Sequence, residues 1–81
     1  MVHLLRLQSV LSRTGQSRTQ HYLGINAGVM TEGVGIGPRA VAWPEHEIEA
    51  IVRARIAGKT EDEIRALVRR LHAARHVEVP A

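Results

Sequence analysis

The sequence predicts a mainly α fold with one small β-hairpin, in the order α-α-β-β-α-α. Three observations predict it. Four separate segments carry apolar residues at helical spacing. One stretch, residues 29–43, changes to a spacing of two, and glycine or proline stands at the joints between segments.

In the first helix Leu7, Val10 and Leu11 fall at i, i+3 and i+4. The stripe ends at Thr14-Gly15, where glycine can adopt the left-handed conformation that stops a helix. Ser17 is expected to cap a second helix that runs to about Ala27 and turns Tyr22, Leu23 and Ile25 inward; Asn26-Ala27-Gly28 ends it. Two short helices around a Gly-containing turn outline a helix-turn-helix. Val34 and Ile36 then alternate with glycines, Gly37-Pro38 turns the chain, and Val41 and Trp43 alternate with alanines, which predicts strand–turn–strand. Trp43 is expected to cover the core, because two aromatics in the whole chain give base stacking little to work with. Pro44 is expected at the first position of a third helix, with Glu45, Glu47 and Glu49 at its positive end and Ile48, Ile51, Val52 and Ile56 buried. Gly58 closes that helix. "TEDE", Thr60 to Glu63, is a capping box, and it opens a fourth helix striped by Ile64, Leu67, Val68 and Leu71. The division expected is a winged helix-turn-helix over 4–57, an appended amphipathic helix of the same domain over 58–76, and a tail over 77–81.

With 81 residues one domain is expected, and with no Phe, one Trp and one Tyr its small core must be aliphatic. The absence of cysteine excludes disulfides and Cys-based zinc sites and fits a reducing cytoplasm. No apolar run reaches the roughly 18 residues of a membrane span, and "MVHLLRLQSV" does not read as a signal peptide. The formal net charge of +3 is unevenly placed. Arg6, Arg13, Arg18 and Arg39 stand against Glu32 alone in residues 1–43, whereas residues 44–81 are balanced. A polyanion would therefore meet the first half.

The runs "LLRLQSVLSRTGQSRTQHYLGINAG" and "GIGPRAVAWPEHEIEAIVRARI" resemble the AlpA-type prophage regulators, small winged-helix proteins related to MerR-type DNA-binding domains and to phage excisionases. The resemblance covers about residues 4–57. It rests on Arg13-Thr14-Gly15, Ser17-Arg18-Thr19, Tyr22, Ala27-Gly28, and Gly37-Pro38-Arg39-Ala40-Val41 with Trp43, Glu45 and Glu47. The chain departs from the family pattern at Gln16, where an apolar residue is usual. It also departs in "HYLGINAG", which lacks late basic residues, and at Val29-Met30, where an aromatic-Pro pair is common. The resemblance implies a bacterial or phage-encoded, cytoplasmic, nucleoid-associated protein that binds double-stranded DNA in transcription or in excision of an integrated element. It implies a homodimer or side-by-side multimer on DNA, and RNA polymerase or an integrase as protein partner.

Chemistry nominates the contacts. Arg18 can donate a bidentate pair to guanine, Gln20 can pair with adenine, and Ser17 and Thr19 can reach a phosphate or a base edge. Tyr22 can send its hydroxyl to a phosphate, and His21 can hydrogen-bond DNA or stand as an ordinary exposed histidine. Arg39, just past the hairpin tip, can enter the minor groove or pair with a phosphate; Arg13 beside the turn is a phosphate contact, and Arg6 a weaker one. The opposing reading is a polar, solvated helix face in a winged module that binds protein and not DNA. Gly33, Gly35 and Gly37 do not form a nucleotide loop, because a strand follows them instead of a helix. His72 and His76 have ligand spacing without a third ligand, and the carboxylates cluster where helix capping explains them. No metal, cofactor or catalytic residue is expected.

Overall fold

The computed structural model describes residues 3–77, with side chains through residue 75. In chain order the elements are β1 (Leu4–Leu5), α1 (Leu7–Thr14), α2 (Arg18–Ala27), β2 (Val34–Gly37), β3 (Ala40–Pro44), α3 (Glu45–Ile56) and α4 (Glu61–Val77). The mostly helical winged arrangement predicted from the sequence is present, with one addition. β1 pairs antiparallel with β3, Leu4 opposite Pro44 and Leu5 opposite Trp43, so the hairpin becomes a three-stranded sheet of order β1-β3-β2. Two residues are too few to show a period, which is why β1 left no mark in the sequence pattern.

Local chemistry sets the joints. Gly15 ends α1 at φ +69, and its N–H donates to the Leu11 carbonyl. α2 begins two residues later in a reciprocal capping box: the Ser17 hydroxyl accepts from the Gln20 amide and the Gln20 side chain accepts from the Ser17 amide. The inward face of α2 differs from expectation. His21 and Gly24 are buried and Ile25 partly so, at i, i+3 and i+4, whereas Tyr22 is 39% and Leu23 61% exposed. An imidazole ring and a bare backbone make up the inner face, and a Cβ on Gly24 would meet the Val29 and Met30 side chains at ordinary contact distance.

β2 and β3 pair Val34 with Ala42, Gly35 with Val41 and Gly37 with Ala40, so Ile36 sits in a bulge and Pro38-Arg39 make the turn. Trp43 lies at the centre of the core with Leu5, Val10, Met30, Ile48, Ile51, Ile64 and Val68. Its indole N–H donates to the Thr31 carbonyl at 2.9 Å, which satisfies the polar atom of a ring otherwise fully buried. Pro44 is the last residue of β3 and the N-cap of α3, so Glu45, not Pro44, is its first helical residue. Ile48 and Ile51 are buried as expected and Val52 is half-buried, but Ile56 is 81% exposed in the last turn.

α4 opens on the predicted capping box, with Thr60 and Glu63 exchanging hydrogen bonds. The Thr60 amide that donates to the Glu63 carboxylate, helped by the Thr60 hydroxyl beside it, holds that carboxyl below its usual range. Ile64 and Val68 enter the core, with Leu67 and Leu71 half-buried beside it. The helix runs on through His76 to Val77, so it is longer than expected, and the rest of the expected tail lies outside the described residues. Glu47, in the first turn of α3 as expected, is fully buried. Its two oxygens take Arg75 at 2.8 and 2.6 Å, a fork-to-fork pair joining α3 to α4. Among the described residues, no helix is long and apolar enough to cross a membrane.

Candidate nucleic-acid interface

Three elements meet around one open groove of about 640 Å³: the start of α1, the start of α2 and the wing. Arg6 lines it just ahead of α1, Leu7, Gln8 and Ser9 from α1, Arg18 and Tyr22 from α2, and Arg39 and Val41 from the hairpin. Among the described residues no carboxylate lines it, and none of Arg6, Arg18 and Arg39 forms an ion pair. Three unpaired guanidinium groups on one concave surface repel one another and raise the local positive potential, which a polyanion would relieve.

The turn between α1 and α2 delivers this geometry. Gly15 stops α1 in the left-handed conformation and α2 starts three residues later, with Arg18 and Tyr22 sharing the groove with Arg6, Gln8 and Ser9 at the start of α1. The wing closes the third side because β3 is pinned by Trp43 in the core, which leaves Val41 and the Pro38-Arg39 turn outside. Arg39 has φ +61, the only positive value at a non-glycine residue among those described. Proline followed by a positive φ is the pattern of a type II turn, whose third position normally holds glycine. The chain keeps a long cation where the backbone prefers no side chain.

The sequence-nominated residues fare differently. Arg18, Tyr22 and Arg39 are brought together, and Thr19 is exposed on the same first turn of α2. Ser17 and Gln20 are exposed but spend atoms on each other. The Gln20 side-chain oxygen already accepts from the Ser17 amide, so only its NH₂ faces a base without breaking the cap. A bidentate pair with adenine requires both ends.

His21 is a correction, and Arg13 stands apart from the groove. His21 is 0% exposed and cannot touch DNA. It meets Trp43 edge-on, with centroids 4.9 Å apart, and neither ring nitrogen has a hydrogen-bond partner. Burial, reinforced by the nearby Arg55 charge, pushes its pKa below the ordinary value. Arg13 turns away from the groove. Its guanidinium pairs with Glu45 at 2.6 Å and lines a separate hollow with Ile48, Glu49, Val52 and Arg53. It ties the end of α1 to the start of α3.

Arg6, Gln8, Ser9 and Val41 are the groove residues that sequence reasoning undervalued or missed. Arg6 immediately precedes α1, and Gln8 and Ser9 are the polar residues of its first turn. An uncapped helix start carrying polar side chains was the available signal.

No curated protein and no solved structure matches the chain. A family model does: that of the prophage CP4-57 regulatory protein (AlpA) matches residues 3–56, which run from the residue before β1 to the end of α3. The match contains every residue of the groove, leaves α4 outside it, and covers two thirds of the sequence, so the chain belongs to the AlpA family of prophage regulatory proteins.

Proposed function

We propose that this chain is a sequence-specific double-stranded DNA-binding protein that regulates transcription from phage-derived DNA. The observation that carries the reading is the convergence of Arg6, Arg18 and Arg39, unpaired, on one carboxylate-free groove. α2 lies in the major groove, where the exposed residues of its first turn, Arg18 and Thr19, face base edges. Arg18 donates to guanine O6 and N7. Arg6, Gln8 and Ser9 at the start of α1 and the Tyr22 hydroxyl hold the backbone. The wing places Arg39 on the flanking phosphates or in the adjacent minor groove. The regulatory character of the family supports transcription as the output.

Salt titration of binding to duplexes enriched by the chain from a random pool tests this. Log affinity is expected to fall with log salt at roughly 0.9 per phosphate contact, a slope of about 2 to 3 for the groove cations alone. Absence of duplex binding at low salt overturns the reading. Arg18→Ala is expected to relax base preference at one position of the site. Arg39→Ala should weaken all sequences alike and lower the slope by about one. Undiminished preference in Arg18→Ala would remove α2 from the major groove. Strong bending of bound DNA with no effect on a promoter would transfer the role to excision.

A further inference from the structure

We infer that α4 is a splint for the two DNA-reading elements, with Arg65, His72 and Arg75 as its positioning residues; this rests on the proposed DNA reading for its functional consequence. None of the three lies in the segment matched by the family model, and none lines the groove. Each reaches from α4 to backbone of the unit that does.

Arg65 Nε donates to the Ala27 carbonyl at 2.9 Å, at the last residue of α2. Its other two guanidinium nitrogens are held by Asp62 and Glu61, which aim the group at that carbonyl. Further along α4, His72 and Arg75 take both sides of one residue. His72 Nε2 accepts from the Glu32 amide at 3.1 Å, and Arg75 donates to the Glu32 carbonyl at 2.8 Å. Arg75 is itself fixed by the buried Glu47 carboxylate of α3. Glu32 directly precedes Gly33 and β2, and the Thr31 carbonyl before it holds the Trp43 indole. The base of the wing is thus gripped from α4 on one side and from β3 on the other. One rigid helix sets the end of α2 and the base of the wing at a fixed separation. Arg18 and Arg39 ride on those two elements, so their spacing against DNA follows.

His72→Ala and Arg75→Lys test this, because neither removes an arginine or lysine charge from the chain. Two readouts are taken on the full chain. In the free protein, amide hydrogen exchange over residues 34–42 is expected to accelerate while α1 and α3 stay protected. With a labelled duplex enriched from a random pool by the wild-type chain, affinity is expected to fall about tenfold, equal to about 1.4 kcal/mol. The salt slope should drop by roughly one although no cation was removed, since Arg39 loses its phosphate. In an Arg39→Ala background the same substitutions should have no further effect, whereas in Arg18→Ala they should still cost their full factor. Arg65→Lys should show the reverse coupling, to Arg18 and not to Arg39. Unchanged exchange in the wing, or losses that simply add to Arg39→Ala, would overturn the splint. A loosened wing in a chain whose wild type binds no duplex would leave the splint standing and remove the DNA reading.

Discussion

Arg39 shows how a single residue can be poorly suited to its backbone and still belong there. A non-glycine residue in the left-handed region carries a strain of about 1–2 kcal/mol, and its φ of +61 places it there. Arg39→Gly removes that strain but frees the unfolded chain, which offsets roughly 0.5–1 kcal/mol of the gain. The variant is therefore expected to melt at the same temperature as wild type or slightly above it, while binding duplex DNA more weakly. A melt paired with a binding isotherm checks both halves, and a lower melting temperature would mean that the side chain supports the fold. His21 is the opposite kind of residue, useful only inside. Its folded pKa lies below its ordinary value of 6.5, so the unfolded chain takes up a proton that the folded chain refuses. Stability from this group is complete above about pH 6.5 and falls as pH drops through the folded pKa. The groups facing it are Tyr22 on α2, Trp43 on β3 and the Arg55 charge from α3. Melting curves between about pH 7.5 and 5 should show a steeper acid loss in wild type than in His21→Leu; parallel curves would mean that His21 keeps its proton equilibrium on folding.

At the scale of elements, legibility followed locality. The Ser17 cap, the Gly15 stop and the Thr60–Glu63 box are interactions within four residues, and the sequence displays them directly. The α2 face was misread for a physical reason. Tyr22 and Leu23 are the more apolar side chains, yet His21 and Gly24 are the residues that face inward, against Trp43 and the Val29 and Met30 side chains. Long-range partners left no trace at all: Glu47 meets Arg75 across 28 positions, and Arg13 meets Glu45 across 32. The groove was half legible for the same reason, since Arg18 and Arg39 stood out as isolated cations but their meeting with Arg6 depends on the tertiary fold. The wing's glycines are also sharper in three dimensions. A Cβ on Gly33 would lie 3.1 Å from Trp43 Cζ2 and 3.3 Å from Val41 Cβ, and neither neighbour is free to retreat. The indole is tied to Thr31, and Val41 is held in its strand. Gly33→Ala is expected to destabilise by about 1–2 kcal/mol, an overpacking cost, whereas Gly35→Ala, with open space around it, should leave packing unchanged. Urea midpoints of the two variants distinguish them, and equal midpoints would show that the wing shifts to accept the methyl.

Over the whole molecule, the family segment and the folded unit do not coincide. The family match ends at Ile56, but the core continues through Ile64 and Val68, and the buried Glu47 carboxylate finds its cation only at Arg75. Each of those two apolar side chains contributes on the order of 1.5–3 kcal/mol when buried. Removing one partner of a buried ion pair typically costs about 3–5 kcal/mol. The total stability of a chain of 81 residues, at roughly 0.05–0.15 kcal/mol per residue, is only about 4–12 kcal/mol. The losses equal or exceed most of that range. A chain ending after Ala57 is therefore expected to show no cooperative thermal transition, although it retains the helix-turn-helix, the wing and every groove residue. Arg75→Ala alone, which strands the Glu47 carboxylate but keeps the apolar contacts, should lower stability by about 3 kcal/mol and still unfold in one step. Circular dichroism melts of both proteins decide the matter. A sharp transition in the shortened chain would show that the AlpA segment folds by itself and that α4 contributes orientation without contributing the core.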